Sequence, residues 1–359
     1  MKICVYAICK NEEKFIERWL KSADEADYIC VLDTGSSDRT IELLKKNPKV
    51  ILGQKIFNPF RFDVARNESM KLIPSDTDLC VCVDLDEYYD AGWRKILEEY
   101  VKATTQNVRY RYTWNFNPDG SDGVVFFANK IHTLKNFYWK NPVHEVITYA
   151  GIGEPETVTI ANLHLNHKAD NTKSRAQYLP LLEMSVNENP NDDRNVHYLG
   201  REYYFHQDWQ KAIDMLKHHL SLKSAIWTEE RCASLRYIAK CYTHLSNFEE
   251  AEKYFLLAIV ECPNSREPYY DFAKYCFERS DYAKSCALFE TMRNIENRNL
   301  NYISDPDCWS AKVDDYLSVC YFYLGNKNKA EKCCLNALKN FHNDERVLKN
   351  YELIKNMKT

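Results

Sequence analysis

The residues best suited to chemistry follow a short apolar run near residue 80. Val81-Cys82-Val83 leads into Asp84 and, two residues on, Asp86. An apolar run of this length predicts a buried strand, and open α/β sheets bind ligands beyond the carboxyl ends of their strands. Two carboxylates at this spacing can share a hard divalent cation, Mg²⁺ or Mn²⁺, whose shell a nucleotide diphosphate would complete. On this motif alone, a solvated acidic turn is the alternative.

Further polar residues occur where other predicted elements begin or end. Asp33 ends an apolar run and can accept hydrogen bonds from a uracil ring, and Gly35 permits the turn that follows. Arg66 can place a planar charged fork on a diphosphate, or it can form a surface ion pair. Asn11 and Glu12 either line a nucleoside pocket or simply start a helix.

The elements that must position these residues alternate between strand and helix patterns, βαβαβαβ, which predicts a parallel sheet covered by helices. A second region, richer in aromatic and β-branched residues, predicts antiparallel strands and loops. The predicted strands are Ile3–Cys9, Tyr28–Leu32, Val50–Phe57 and Leu79–Val83, then Val108–Phe116, Val124–Phe127, Lys130–Leu134 and Val143–Tyr149; the predicted helices are 13–20, 39–46 and 63–72.

The C-terminal half repeats. A small residue recurs at Gly200, Ala239, Ala273 and Ser318, at intervals of 39, 34 and 45 residues, within otherwise matching apolar spacings. The four units resemble tetratricopeptide repeats, which are helix-turn-helix modules of about 34 residues. The longest interval predicts an insertion near 297–309. We therefore predict an α/β domain over 1–168, a linker over 169–191 that is helical from Lys173 to Val186, and an all-α repeat solenoid over 192–359.

Four motifs in order resemble those of family-2 glycosyltransferases of the GT-A (Rossmann-like) fold. They are Ala7-Ile8-Cys9-Lys10-Asn11-Glu12-Glu13, the acidic turn around Asp33-Thr34-Gly35-Ser36, Ala65-Arg66-Asn67-Glu68 and the DxD of Asp84 and Asp86. The resemblance covers residues 2–90 well and 91–165 weakly. It implies an inverting transferase that uses a UDP-sugar and a divalent cation, with Asn11, Glu12, Asp33, Arg66, Asp84 and Asp86 around the donor.

The resemblance also implies a base and a third metal ligand downstream of the DxD. Glu145, in Trp139-Lys140-Asn141-Pro142-Val143-His144-Glu145-Val146, is the predicted base that takes the acceptor proton, and His144 is the second choice. The alternative for Glu145 is an exposed strand carboxylate. His164 is preferred over His167 as the histidine that joins Asp86 and Asp84 at the metal, and a structural histidine is the alternative.

The fusion to repeats bears on the acceptor. It is similar to the sublancin-type peptide glycosyltransferases, which modify Cys or Ser side chains, and to lipopolysaccharide-core glucosyltransferases. Because solenoids offer grooves to extended peptides, a peptide acceptor held by the repeats is preferred to a saccharide. A non-catalytic scaffold that only binds nucleotide is an alternative of another class, and self-association through the repeats into a homodimer stays open.

Composition and charge limit the other classes of protein to which this chain could belong. A net charge of -4 and a pI near 6.2 argue against a general nucleic-acid binder. The start of the chain lacks the pattern of a secretion signal, and no run approaches the roughly 20 apolar residues of a membrane span, so we expect a cytoplasmic protein. The 14 cysteines lie largely in apolar runs and are expected to be thiols.

Overall fold

The computed structural model describes residues 1–117, 120–170 and 178–357. By its contacts, the chain divides into two compact units. The first is Met1–Glu188 with Leu300–Tyr302, and the second is Asn189–Asn299 with Ile303–Thr359. Of the linker predicted over 169–191, the described residues 169–170 and 178–188 thus fall in the first unit. Among the described helices, none has both the length and the apolar composition needed to cross a bilayer.

The described part of the first unit is built on a mixed eight-stranded sheet and a two-stranded hairpin. The strand order of the sheet is β3-β2-β1-β4-β7-β6-β10-β5, and β8 pairs with β9. The strands are β1 Ile3–Cys9, β2 Tyr28–Asp33, β3 Val50–Gln54, β4 Leu79–Cys82, β5 Glu87–Tyr89, β6 Asn107–Thr113, β7 Val125–His132, β8 Phe137–Lys140, β9 Val146–Tyr149 and β10 Thr157–His167.

The helices of this unit bury apolar side chains against the sheet. Trp19 and Trp93 are almost fully buried and belong to the same core as Val5, Val31 and Val81 of the central strands. This burial on both faces explains why β1, β2 and β4 have no alternating polar positions. The helices are α1 Ile16–Ala23, α2 Thr40–Leu44, α3 Phe62–Met70, α4 Trp93–Tyr100 and α5 Tyr178–Glu188.

The predicted α/β fold is confirmed, and several element predictions need correction. The two strands predicted over 124–134 are the single strand β7, because Ala128 and Asn129 continue the extended backbone without a turn. Four elements were missed: β5, α4, β8 and β10. Strand β10 ends at His167, just before the predicted linker. Of the helix predicted from Lys173, residues 173–177 lie outside the described residues, and α5 begins at Tyr178.

The second unit consists of successive helix pairs, as the repeats predicted. Each pair joins a helix that carries the recurring small residue to the next helix along the chain. Asn247, Asp208, Asp281 and Asn326 cap the second helix of each pair by accepting a backbone N–H. The helices are α6 Asp193–Phe205, α7 Trp209–Ser221, α8 Thr228–His244, α9 Phe248–Glu261, α10 Arg266–Glu278, α11 Tyr282–Arg293, α12 Lys312–Tyr323, α13 Lys327–Leu338 and α14 Glu345–Lys355.

Close helix contact explains the recurring small residues. A Cβ placed on Gly200 would lie 2.6 Å from Leu216 Cγ on the facing helix. Ala239, Ala273 and Ser318 are completely buried at the corresponding positions. The predicted insertion falls between α11 and α12, where the chain forms a 3₁₀ turn at Pro306–Trp309. All 14 cysteines are buried free thiols, as expected.

Candidate functional site

The candidate site lies where the parallel strands β1, β2 and β4 end. Cys9 at the end of β1 is in register with Asp33 at the end of β2, and Tyr6 pairs with Cys82 at the end of β4. Asp84 follows β4 by two residues, so the DxD stands at the carboxyl edge of the sheet, as predicted. This edge is the place where open α/β sheets bind ligands.

Asp84 is held by two cations. An Arg66 amino group lies 2.9 Å from Oδ1 of Asp84, and Lys130 Nζ lies 3.1 Å from its Oδ2. Burial opposes ionisation of Asp84, but the charges of Arg66 and Lys130 outweigh it and hold the pKa well below its ordinary value. Asp84 is therefore an ionised carboxylate with both oxygens engaged by the protein.

Glu87 holds the backbone of the DxD turn through a hydrogen bond. Its carboxylate accepts hydrogen bonds from the Asp84 backbone N–H at 2.9 Å and the Tyr112 hydroxyl at 2.7 Å, and Lys130 lies 3.1 Å away. Its side chain is 2% exposed. Burial, joined by the charges of Asp84 and Asp86, raises the pKa of Glu87 in spite of Lys130. Lys130 thus links the two carboxylates on which the geometry of the turn depends.

Glu145 reaches the same site from a distant part of the chain. Its Oε1 lies 2.5 Å from Arg66 Nε, and its side chain is 12% exposed. The loop is anchored because Asn67 exchanges two 2.8 Å hydrogen bonds with the backbone of Trp139. The Trp139 ring also lies against the Arg66 guanidinium, 4.9 Å from its centroid. The donors of Arg66 are directed to protein groups, so here it orients Asp84 and Glu145.

Asp86 has a different neighbourhood. His167 Nε2 lies 3.3 Å from its Oδ2, and the other ring nitrogen of His167 is 2.8 Å from the Trp114 carbonyl oxygen. Burial disfavours protonated His167, but the hydrogen bond and charge of Asp86 prevail and raise the pKa. His164, the preferred candidate from sequence, lies instead with Nδ1 3.7 Å from Asp90. His167, rather than His164, is therefore the histidine that lies beside Asp86.

A carboxylate and an imidazole this close together fit a divalent cation. Magnesium and manganese sites commonly use one or two carboxylates, with the remaining ligands supplied by phosphate oxygens and water. Asp86 is one quarter exposed, whereas Asp84 is already bound by Arg66 and Lys130. Asp86 and His167 are therefore side chains that could hold such an ion.

An open pocket of about 600 Å³ adjoins Asp86. Its walls include Tyr88, Trp114, His167 and Lys168. Arg18 donates to the Asp86 carbonyl oxygen at 3.1 Å and lies 5.0 Å from the centroid of the Tyr88 ring. The pocket therefore combines aromatic surface with positive charge beside the DxD.

The motif that contains Asn11 and Glu12 is hydrogen-bonded to the acidic turn that contains Asp33. Asp33 is 1% exposed, and its Oδ1 accepts the backbone N–H groups of Gly35 and Ser36, each at 3.0 Å. Gly35 has φ +113°, which only glycine adopts readily, as predicted for this turn. Asn11 accepts the Ser37 N–H at 2.8 Å, so the two loops form one rigid rim.

Glu12 and His144 complete the predicted set. The Glu12 backbone N–H donates to Thr40 Oγ1 at 2.7 Å, which joins it to the same rim. The His144 ring lies 5.7 Å from the ring of Tyr178, and His144 has a positive φ of 49°. His144 and Glu145 are adjacent in the chain, and the contact with Arg66 belongs to Glu145.

Comparison with known proteins identifies a family for part of the first unit. Residues 4–154 match the family described as Glycosyl transferase family 2. The first unit contains a family-2 glycosyltransferase domain. The matched range includes the DxD and Glu145 and ends before His167.

One curated relative is the lipopolysaccharide core biosynthesis glycosyltransferase LpsC of Rhizobium meliloti. It is 26% identical over 114 residues, which make up 31% of this chain and 41% of LpsC. The chain therefore aligns with less than half of the length of that relative.

Solved structures resemble the chain only in part. Pseudomonas aeruginosa pilF has a TM-score of 0.38 at 11% identity, over 50% of this chain and 72% of its own. A tetratricopeptide repeat protein from Parabacteroides merdae has a TM-score of 0.36 at 17% identity, over 50% of this chain and 64% of its own.

Sequence reasoning missed several residues that build the site. Lys130, Glu87, Tyr112 and Arg18 belong to no motif that the sequence displays. Lys130 is brought to Asp84 by the antiparallel pairing of β4 with β7, where Val81 lies opposite Ile131. Its position beside Ile131 in a largely apolar strand is a signal that could have found it, since a lysine enclosed by apolar residues is rarely without a partner.

Proposed function

We propose that the chain is an inverting glycosyltransferase that moves a hexose from a UDP-sugar to a Cys or Ser side chain of a peptide, with a divalent cation. The observation that carries the proposal is the convergence of Asp84, Arg66 and Glu145 beside Asp86 at the carboxyl edge of the sheet. These residues come from separate motifs, and a scaffold that only binds nucleotide has no need of a carboxylate at Glu145.

The residues have distinct roles in this proposal. The rim contacts the nucleoside through Asn11 and Glu12, and the buried Asp33 holds the turn of that rim in place. Asp84, fixed by Arg66 and Lys130, orients the ribose and diphosphate. Asp86 and His167 hold the cation, with His164 no longer needed. When bound, a Mg²⁺ or Mn²⁺ ion neutralises charge on the departing diphosphate. Arg18 and Lys168 add positive charge on the same side.

Glu145 is the proposed base, and His144 is the alternative beside it. Glu145 stays oriented by Arg66 while it accepts the proton of the incoming nucleophile, on the face of the sugar opposite the leaving group. A thiol acceptor needs less help than a hydroxyl because its pKa is near 8.5. The aromatic pocket of Trp114 and Tyr88 offers surface for the sugar or the acceptor.

The choice of acceptor rests on the second unit. Its helix pairs expose apolar side chains, including Leu256, Leu257 and Val260, of the kind that contact other polypeptides. Likeness to LpsC supports the other candidate, a saccharide acceptor. A cytoplasmic location and a homodimer through the repeats also remain proposals.

The test is an acceptor comparison with the full chain. The protein, a UDP-hexose and Mn²⁺ are incubated with Cys- and Ser-containing peptides and, in parallel, with core oligosaccharides. The masses of the products are measured by mass spectrometry. A peptide heavier by one hexose supports the proposal, and its loss in Glu145→Gln assigns the base. Transfer only to the oligosaccharide selects the second candidate. Nucleotide binding without transfer to either acceptor or to water contradicts both.

A further inference from the structure

The second unit contains a buried polar cluster that the proposed transferase reaction does not use. His197 on α6, His219 on α7 and Glu230 on α8 come from three successive helices. Each is at least 95% buried. One ligand atom from each residue lies within 4.8 Å of the others. Two imidazoles and a carboxylate are a donor set that zinc accepts.

Ser234 orients both rings of the cluster. Its hydroxyl oxygen lies 2.8 Å from Nδ1 of His197 and 2.9 Å from Nδ1 of His219. A serine oxygen has two lone pairs and can accept an N–H from each ring. Each ring would then carry its own lone pair on Nε2, the tautomer in which a metal-binding histidine is fixed by a partner on its other nitrogen.

His197 supplies an independent indication of a ligand. Its Nε2 is buried and has no hydrogen-bond partner among the described residues. Buried polar atoms are nearly always satisfied, so an acceptor left open in the core calls for a partner.

We propose that His197, His219 and Glu230 form a zinc site that ties α6, α7 and α8 together at the start of the repeats. Zinc lies about 2 Å from its ligands, so binding draws the three ligand atoms in to about 3.3 Å of each other. A fourth position is left for water. The site is structural and separate from the DxD.

The test uses the full chain in the Asp86→Ala background, which removes the cation ligand of the transferase site. After treatment with a chelator, the protein is dialysed against Zn²⁺ alone and its metal content is measured. We expect about one equivalent of tightly held zinc, lost in His197→Phe and in Glu230→Gln. His218→Phe, which alters a partly exposed histidine next to His219, is the matched control and keeps the zinc.

Two further measurements guard against variants that fail to fold. Circular dichroism checks each variant, and Glu230→Gln preserves the shape of the side chain if His197→Phe does not fold. Zinc X-ray absorption of the Asp86→Ala chain needs no further substitution and should show two imidazoles and oxygen. Equal zinc content in the control and both cluster variants, an all-oxygen shell, or no retained zinc overturns the proposal and leaves a dry hydrogen-bonded network.

Discussion

Arg66 and Glu145, 79 residues apart in the chain, form an ion pair with 2.5 Å between Nε and Oε1. The same guanidinium binds Asp84. One side chain therefore sets the position of both the proposed base and the first DxD carboxylate. In the proposed reaction, this shared contact would connect donor binding to acceptor activation.

Replacing Arg66 with lysine should impair turnover more than donor binding. Lysine retains the charge but is a point charge that cannot hold two carboxylates in one planar fork. We expect kcat to fall by at least about tenfold in Arg66→Lys, with a smaller change in the Kd of the UDP-sugar. Steady-state kinetics and calorimetry check this. A normal kcat in a well-folded variant would show that Arg66 does not position the base.

Substitution of the two histidines of β10 should have different effects on cation-dependent binding of UDP. His167→Ala should weaken Mn²⁺-supported binding of UDP by about 10- to 100-fold, because it removes the imidazole next to Asp86. His164→Ala, whose histidine lies by Asp90, is the matched control and should bind normally. Calorimetric titration of UDP with and without Mn²⁺ distinguishes them. The reverse result would restore His164 as the ligand.

The sequence could not decide between these histidines, for a physical reason. Residues three apart in a strand point to opposite faces of a sheet, so one of them can face Asp86 while the other cannot. The two histidines can be told apart in this way only when β10 is known to run to His167. The strand also changes register between Ile160 and His164, so an alternating pattern does not continue across it.

In the rest of the site, too, features set by one short segment were predictable from the sequence, whereas contacts between distant segments were not. β1 was predicted with its observed ends because an unbroken apolar run leaves few alternatives. The DxD was found because both carboxylates come from one short motif. The positions of Lys130 and Glu145 depend on tertiary contacts. Pairing of β4 with β7 brings Lys130 to the site, and the hydrogen bonds between Asn67 and Trp139 anchor the loop that carries Glu145. Glu145 was a candidate by family resemblance, whereas its contact with Arg66 was not predictable.

Removing the ammonium of Lys130 should destabilise the first unit. Lys130→Met leaves Asp84 and the buried Glu87 without their shared cation, and breaking such a pair costs about 3 kcal/mol of unfolding free energy. The double variant Lys130→Met with Glu87→Gln should recover part of this loss. Urea unfolding checks both variants. An unchanged midpoint in the single variant would contradict the role assigned to Lys130.

Stability should depend on pH through His132. Burial lowers its pKa to about 4, and Tyr6 lies 2.7 Å from its Nε2. The unfolded chain, with a pKa near 6.5, binds more protons between these values, so stability is complete above pH 6.5 and declines as the pH falls towards 4. The loss amounts to about 3 kcal/mol.

The matched variant for this effect is His132→Gln. It should be less stable at neutral pH but should lack the part of the pH slope that comes from His132. Urea unfolding at several values between pH 4 and 7 measures the difference between the two proteins. If that difference does not change with pH, His132 is not neutral in the folded state.

Gly200 tests the packing of the repeats. Alanine normally favours a helix over glycine, but here its Cβ would lie 2.6 Å from the buried Leu216 Cγ. Gly200→Ala should therefore destabilise the second unit by about 1 to 3 kcal/mol. The double variant Gly200→Ala with Leu216→Ala should relieve the overlap, though it forfeits apolar contact. Thermal unfolding that shows Gly200→Ala to be stabilising would contradict this close approach.

The proposed function requires the DxD edge of the first unit to break the bond between a sugar and a nucleotide diphosphate. The most direct measurement is release of UDP or GDP from a panel of nucleotide sugars by the purified full chain, with and without Mn²⁺. We predict cation-dependent release of UDP from one UDP-sugar, abolished in Asp86→Asn and retained in Asp90→Asn. If the wild-type chain neither binds nor cleaves any nucleotide sugar of the panel, the account is wrong.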